Sequence, residues 1–447
     1  MRKFLLFVGA LLVFSACVQE KDVVSLPNFD SEYADNESFV SLEHAMGNAN
    51  FVYRNIDGSS ERKREIKEVR LLTKSDVNTS VTRSSEEEEP LAYVVNYSND
   101  QGFAILAANE ELPPVIALGD EGCFSFDDFV GYVTGNTTRS EENVIDPAQE
   151  LQYQIVNNSL NIDLSNVLIG PSLPNGIASD TTIILKCMPL VPVKWNQYAP
   201  YNKYAEVVDG VLCPAGCVPV SSAQTLASLC YHHGFRPLVD INSDYPVDWN
   251  IINKLIVEDN IKFSSNTDNT YSNEVAKLIR AIGKEVGAEY KPSGTGAKIN
   301  NLTDMYNKIG LNNVECIRND SLGSKDILFD KIVSKNYPID CVAYREENNN
   351  YYGHCFNADG WLRLEYTYTT FHGGMGHGTT GQVINTQNRY DLLHINFGWG
   401  GQGDGYYLPG AFNVASNTYD DYREENDIDV NWSRNYSIEV KYIVYDL

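Results

Sequence analysis

A thiol stands among small residues in PAGCVPVSSAQTLASLCYHHG, residues 214–234, where an apolar, helix-like run begins. Pro219 suits a first helical turn and Gly234 a helix stop. Between them Val220, Ala223, Leu226, Ala227 and Cys230 keep to one broad face. The spacing predicts a helix with Cys217 at or beside its N-terminus. The free N–H groups and the helix dipole there favour a thiolate over a thiol. The same N–H groups suit an oxyanion, so the position invites nucleophilic attack on a carbonyl. A buried structural cysteine, or half of a disulfide with Cys213, is the competing reading of this stretch alone.

A thiolate nucleophile needs a base, and the chain offers seven histidines. His44 lies far upstream, in a separate first unit. His232 and His233 fall at the far end of the Cys217 helix, more than two turns away, and do not reach the thiol. Their grouping with Cys213 and Cys217 matches no zinc spacing. His372 and His377 lie in the loop-like FHGGMGHG, and His394 sits in LLHINF as an ordinary strand histidine. His354 is the other remaining choice. It follows Gly353 in the strand-like YYGHCFNADGW, and the glycine lets a substrate backbone pass close to the imidazole. A base also needs an orienting group. NFGWGGQGDGYY, residues 396–407, supplies Asn396 as an orienting amide and Trp399 as a shield for its hydrogen bond.

The elements that must position these groups fall into two units. The first runs from about Ser38 to Val133. It is expected to hold a basic helical patch, ERKREIKEVR, an acidic spacer, SSEEEEP, and then strands at LAYVVNYS and FAILAA. Asn99 to Gly102 reads as a hairpin turn between those strands, and PPVIALGDEGCFSF adds another strand. Two polar, Gly/Pro/Ser-rich stretches follow, GNTTRSEENVIDPAQ and GPSLPNGIASDT, and read as linkers open to proteolysis. From about Leu185 come helical segments at SNEVAKLIRAIGKEVGAEY and SKDILFDKIVSKN. Strand-like runs follow at YPIDCVAY, HCFNADGW, YDLLHINF, DGYYLPG and NYSIEVKYIVYDL. Helices first and strands afterwards predict an α+β fold with an antiparallel sheet.

Four of these pieces, WNQYAPYN, AGCVPVSSAQ, GHCFNADG and INFGWGGQGDGYY, stand in the order of the streptopain family of papain-like cysteine peptidases, which the chain resembles. YPVDWNIINKL is similar to another family piece, and the first unit resembles the family's inhibitory propeptide. The resemblance implies a papain-like fold with Cys217 as nucleophile and His354 as general base and acid. It implies Trp399 packing beside that histidine, and Asn396 as the nearest orienting amide. Gly353 matches a cleft-lining position, and PSGTG resembles a cleft loop that puts Gly294 and Thr295 at the substrate. Gln197 reads as structural. The chain departs from the pattern at Cys355 after the histidine, at Cys213 before the nucleophile, at Val218 and Pro219, and at a long segment, 361–389, which reads as an inserted hairpin over or near the cleft.

Length and composition agree. The 447 residues exceed one ordinary domain, and 43% hydrophobic content with 28 tyrosines builds a sizeable core. A net charge of -26 excludes nucleic acid and electrostatic docking on anionic lipid. The start, MRKFLLFVGALLVFSAC, has basic residues, a short apolar run and small residues before Cys17, as in a bacterial lipoprotein signal that would leave Cys17 lipidated. The expected plan is a signal at 1–17, a tether at 18–37, an inhibitory propeptide at 38–135, a linker with the maturation cut at 136–184 (between about Arg139 and Lys186), and a catalytic domain at 185–447. The expected product is an exported, lipid-anchored zymogen of a cysteine endopeptidase, held at the outer membrane or cell surface and freed by maturation. It acts on proteins or peptides, needs no metal or organic cofactor, and is inhibited by its own propeptide. A silent surface-binding lipoprotein and a Cys–His hydrolase of cell-wall peptides are the other readings.

Overall fold

A computed structural model describes residues 38–57, 64–77, 89–110, 112–134, 147–160, 177–318, 323–347, 350–372, 382–408 and 439–447, and residues 27, 29, 31 and 33 singly. The signal ending at Cys17, most of the 18–37 tether, Arg139 and its surroundings, most of the acidic spacer, and His377 lie outside them.

The first unit opens with helix α1, Leu42–Ile56. The Ser41 side chain caps it by accepting from the His44 N–H, and Leu42, Ala45, Ala49, Val52 and Tyr53 form its buried face. Strands β1, Ile66–Thr73, β2, Pro90–Tyr97, β3, Phe103–Ala107, and β4, Val115–Gly119, form an antiparallel meander. Every residue of β2, β3 and β4 is buried, which explains why they read as apolar runs rather than alternating ones. The β2–β3 turn carries Asn99 and Asp100 at φ 58 each, the backbone a tight hairpin demands. The expected helical patch at residues 61–70 is corrected. From Ile66 it is strand β1, because Val69 and Leu72 are buried and the backbone pairs with β2. A four-residue turn of helix, α2 (Lys74–Val77), and then α3, Phe126–Thr134, complete the unit.

Two elements occupy the stretch read as a linker. Helix α4, Pro147–Leu160, reaches the second unit: the Gln152 amide donates to the Tyr407 hydroxyl at 2.9 Å. Strand β5, Ile177–Cys187, pairs with a strand of the second unit and alternates along 181–187 between inward and exposed residues. A two-residue hairpin follows, β6 (Val207–Val208) with β7 (Val211–Leu212). Next come α5, Cys217–His233, α6, Trp249–Val257, α7, Thr270–Glu285, and α8, Ile299–Lys308. The chain continues through β8, Asn312–Arg318, and α9, Ser324–Phe329, to the long strands β9, Ile339–Glu347, β10, Asn350–His372, and β11, Gln382–Asn396, with β12, Gly405–Tyr407, and β13, Glu439–Asp446, last. The 361–389 segment is therefore a hairpin, as expected, and its β10 arm takes β5 as a partner.

Among the described residues the main sheet runs β1–β2–β3–β4–β12–β11–β10–β9–β13–β8, with β5 beside β10. The fold is α+β with antiparallel strand pairing, and both units share one sheet. The joint is β4 against β12, with Gly119, Leu118 and Ala117 opposite Gly405, Tyr406 and Tyr407. The strands approach closely there: a Cβ on Gly405 would lie 2.1 Å from the Leu118 carbonyl oxygen. Gly405→Ala should therefore open the joint alone. Amide hydrogen exchange of Val115–Gly119 should lose about tenfold protection or more, with β9 and β10 unchanged.

Candidate active site

Helix α5 begins at Cys217 itself, as its sequence predicts, and ends at Gly234 with φ 66. It is buried nearly throughout, with Val220, Leu226, Ala227 and Leu229 fully enclosed. Each large apolar side chain so buried contributes about 1.5–3 kcal/mol, which fixes the helix axis and so the position of its first residue. Gly216 precedes the thiol at φ 96, and a Cβ there would meet the Thr295 side chain at 3.0 Å. Thr295 is buried and donates through Oγ1 to the Pro214 carbonyl at 2.6 Å. Gly294 beside it is exposed. The PSGTG loop thus lies against the residues that lead into Cys217.

Strand β10 carries His354 to the same place. The imidazole hydrogen-bonds to the Cys217 thiol and is buried, while Gly353 beside it is exposed. Nε2 of His354 donates to the Phe397 carbonyl at 2.7 Å, which leaves Nδ1 for the thiol. Burial pushes the Cys217 thiol up, but the hydrogen bond and charge of His354 outweigh it. The Cys355 and Val218 backbone N–H groups add to them, and the thiol is held below its ordinary value. Other cysteines move the opposite way. Burial pushes Cys187 and Cys230 up to about 11, and it raises Cys341 and Cys355 well above the ordinary thiol. Cys213 is buried and free, with no disulfide to Cys217. An acidified thiol, hydrogen-bonded to a buried imidazole at a helix N-terminus, is equipped for nucleophilic attack with proton return.

The expected orienting amide is corrected. The acceptor on His354 is the Phe397 backbone carbonyl, and Asn396 sits one residue behind it. Asn396 Oδ1 accepts from Gln224 Nε2 at 3.0 Å and from the Gly398 N–H at 2.9 Å, and its Nδ2 donates to the Val193 carbonyl at 3.2 Å. Asp404 holds the other side, accepting the Phe397 N–H at 2.8 Å. The turn is thus pinned around the carbonyl that faces the histidine. Trp399 is half-buried in this turn, against the core. Gln197 serves through its backbone, accepting from the Ala215 N–H at 2.7 Å. His232 and His233 bond instead to the carbonyls of Leu190 and Asn336, and among the described residues no cluster of metal-ligating side chains occurs.

Residues 195–407 match the model of the peptidase C10 family. Those residues form a peptidase C10 region. Residues 37–133 match the Spi protease inhibitor model, so this C10 peptidase carries an inhibitor-type unit ahead of its catalytic region. Among solved structures the chain is similar to a Prevotella intermedia prointerpain A fragment, at 17% identity over 84% of this chain and 98% of that one, with a TM-score of 0.45. It is also similar to the active wild-type interpain A cysteine protease of the same organism, at 22% identity over 51% and 87%, with a TM-score of 0.36. No curated protein sequence matches it. The chain is a cysteine-type peptidase in zymogen form, of mixed helices and antiparallel sheet.

Sequence reasoning missed two groups in this C10 peptidase. One is the buried set of Gln224, on the nucleophile helix, with Asn357 and Asp340 on the strands against it. Gln224 and Asn357 lie inside two of the quoted motifs, as polar residues in apolar runs, which was the available signal. The other is His394. It is no ordinary strand histidine: Nδ1 meets Asp359 at 2.6 Å, and Nε2 meets Asp120 of the inhibitor-type unit at 3.2 Å. Burial pulls His394 down, but the two carboxylates prevail and push it up to about 10.

The thiol's acidity depends on His354, so His354→Ala should raise it while burial remains. The rate of Cys217 alkylation by iodoacetamide should fall about tenfold or more at pH 6. Its pH profile should move toward that of an ordinary or buried thiol.

Proposed function

We propose that the chain is an exported, lipid-anchored zymogen whose mature part is an endopeptidase working through Cys217 and His354. The Cys217 thiolate, beside protonated His354, attacks a peptide carbonyl, and backbone N–H groups at the head of α5 hold the oxyanion. His354 gives its proton to the leaving amine. Water then hydrolyses the thioester with His354 as base, and the thiolate is restored. The Phe397 carbonyl keeps Nδ1 of His354 turned to sulfur, and Trp399 shields that bond. Gly353, Gly294 and Thr295 line the substrate cleft. The observation that carries this reading is the acidified thiol of Cys217 in contact with buried His354.

The inhibitor-type unit at 38–135 keeps the enzyme latent. Its support is the contact it makes with the catalytic region. Besides the β4–β12 joint, Glu121 pairs with Lys194 and, at 3.0 Å, with Lys262, while Asp120 meets His394. Maturation cuts the 136–184 segment. Strand β5 is laddered to β10, so a cut that spares this pairing leaves β5 on the mature enzyme, whose first residue then lies at or before Ile177. The leader ending at Cys17 supports export and lipidation, and maturation then frees the enzyme from the membrane.

Denatured casein under reducing conditions is the test. A form beginning at Ile177 should digest it, the full chain should lag until processed, and the short form with Cys217→Ala should be inert. Sequencing of the processed wild type should place its N-terminus at or before residue 177. A folded short form inert on casein but active on peptidoglycan would move the chain to cell-wall chemistry, and one inert on both to a silent binding role.

Docking should also respond to pH. Burial tends to raise Glu121, but Lys194 and Lys262 prevail and hold it below the usual carboxylate range. Its contribution is present above the free glutamate value, near 4.3, and is lost as pH falls through the docked value. The share of Asp120 in raising His394 acts at the other end, present at neutral pH and lost as pH rises through about 10. In the Cys217→Ala background, Glu121→Gln should therefore cost about 1 kcal/mol of stability at pH 7. It should cost nothing once the pH is well below 4, as read by thermal unfolding.

A further inference from the structure

Gln224 lies seven residues after Cys217, two turns along α5 and on nearly the same face. It is fully buried, and both ends of its amide are used. Oε1 accepts from the Trp195 N–H at 3.0 Å. Nε2 donates to Asn357 at 3.1 Å and to Asn396 at 3.0 Å. Gln224 and its three partners belong to four separate pieces of the catalytic region. Trp195 is in the entry segment, Gln224 is on the nucleophile helix, Asn357 is on the histidine strand three residues past His354, and Asn396 opens the turn whose next carbonyl receives His354.

The second ring of contacts makes the arrangement directional. Asn396 Oδ1 takes the Gln224 donor and the Gly398 N–H together, so the amide of Gln224 fixes the peptide on the far side of Phe397. Asn357 in turn donates to Thr225 Oγ1 at 2.8 Å and to the Ser221 carbonyl at 3.2 Å, locking the histidine strand to the nucleophile helix. An apolar side chain at 224 would leave the Trp195 N–H and Asn357 Oδ1 without their partner in a dry interior, and Asn396 Oδ1 with the Gly398 N–H alone. Helix, strand and turn would then lose their shared register.

We propose that Gln224 is a positioning residue for the peptidase reaction. It sets the alignment of Cys217, His354 and the Phe397 carbonyl without touching substrate. The inference rests on the Cys217–His354 reading given above. Its consequence is specific: loss of Gln224 harms the ion pair and the chemical step, and spares ground-state binding.

The test uses processed enzyme with Gln224→Met, which keeps length and volume, and compares it with Ser228→Ala. Ser228 is a buried helix residue four positions on, whose hydroxyl donates to the Leu190 carbonyl, away from His354. Gln224→Met should lower kcat on a peptide amide by about tenfold or more, with KM within about threefold. The pH profile of Cys217 alkylation should move up by about one unit. Ser228→Ala should lower Tm and leave kcat and that profile unchanged. If the methionine variant does not fold, Gln224→Glu keeps the acceptor for Trp195, loses the donor, and should show the same loss. Wild-type kcat and alkylation profile in a folded Gln224 variant would overturn the inference, even with a lowered Tm. An inert wild type would instead overturn the Cys217–His354 reading.

Discussion

The burial of helix α5 is the constraint on which the rest depends. A helix enclosed on nearly every side has one available position, so the sheet strands must bring everything else to its first residue. His354 arrives on β10, and the carbonyl that orients it arrives on the turn after β11. Because the helix interior is dry, the polar residues within it must be satisfied. Ser221 donates to Asp340 at 2.6 Å, and Gln224 and Thr225 meet Asn357. Hydrogen bonds that satisfy the buried helix are thus the same ones that tie the nucleophile helix, the histidine strand and the turn together.

The inhibitor-type unit uses the free edge of that construction. Strand β12 offers an unpaired backbone ladder, and β4 completes it. Beside the joint the charges are arranged in complement: Asp120 and Glu121 on one unit meet His394, Lys194 and Lys262 on the other. The docked unit grips the glycine-rich turn that also presents the Phe397 carbonyl, since the Asp120 N–H donates to the Asp404 carbonyl at 2.7 Å. The docked unit and the proposed catalytic histidine therefore bond to one small piece of chain.

Much of this was legible in the sequence. Helix α5, its start at Cys217 and its stop at Gly234 follow from local signals, because a proline, an apolar face and a left-handed glycine each act over a few residues. Strands β2, β3 and β4 were readable for the same reason. Strand β1 was not, because its charged residues resemble a helix surface and only pairing with β2 decides otherwise. Strand β5 was hidden behind the Gly/Pro-rich stretch before it, although TTIILKC alternates as a half-buried strand should. The orienting group was misassigned because a backbone carbonyl has no letter in the sequence, while the adjacent Asn396 has one. His394 looked ordinary because both of its partners are distant, at Asp359 and Asp120.

The central claim is that one thiol of the mature enzyme, that of Cys217, carries the reaction. The direct measurement is active-site titration of the processed form with an epoxide electrophile selective for thiolates, followed by peptide mass mapping. The account predicts one equivalent of label, on Cys217, with activity falling in proportion and with Cys213 and Cys355 unmodified. Full modification of Cys217 with activity retained, or loss of activity with the label on another residue, would contradict it.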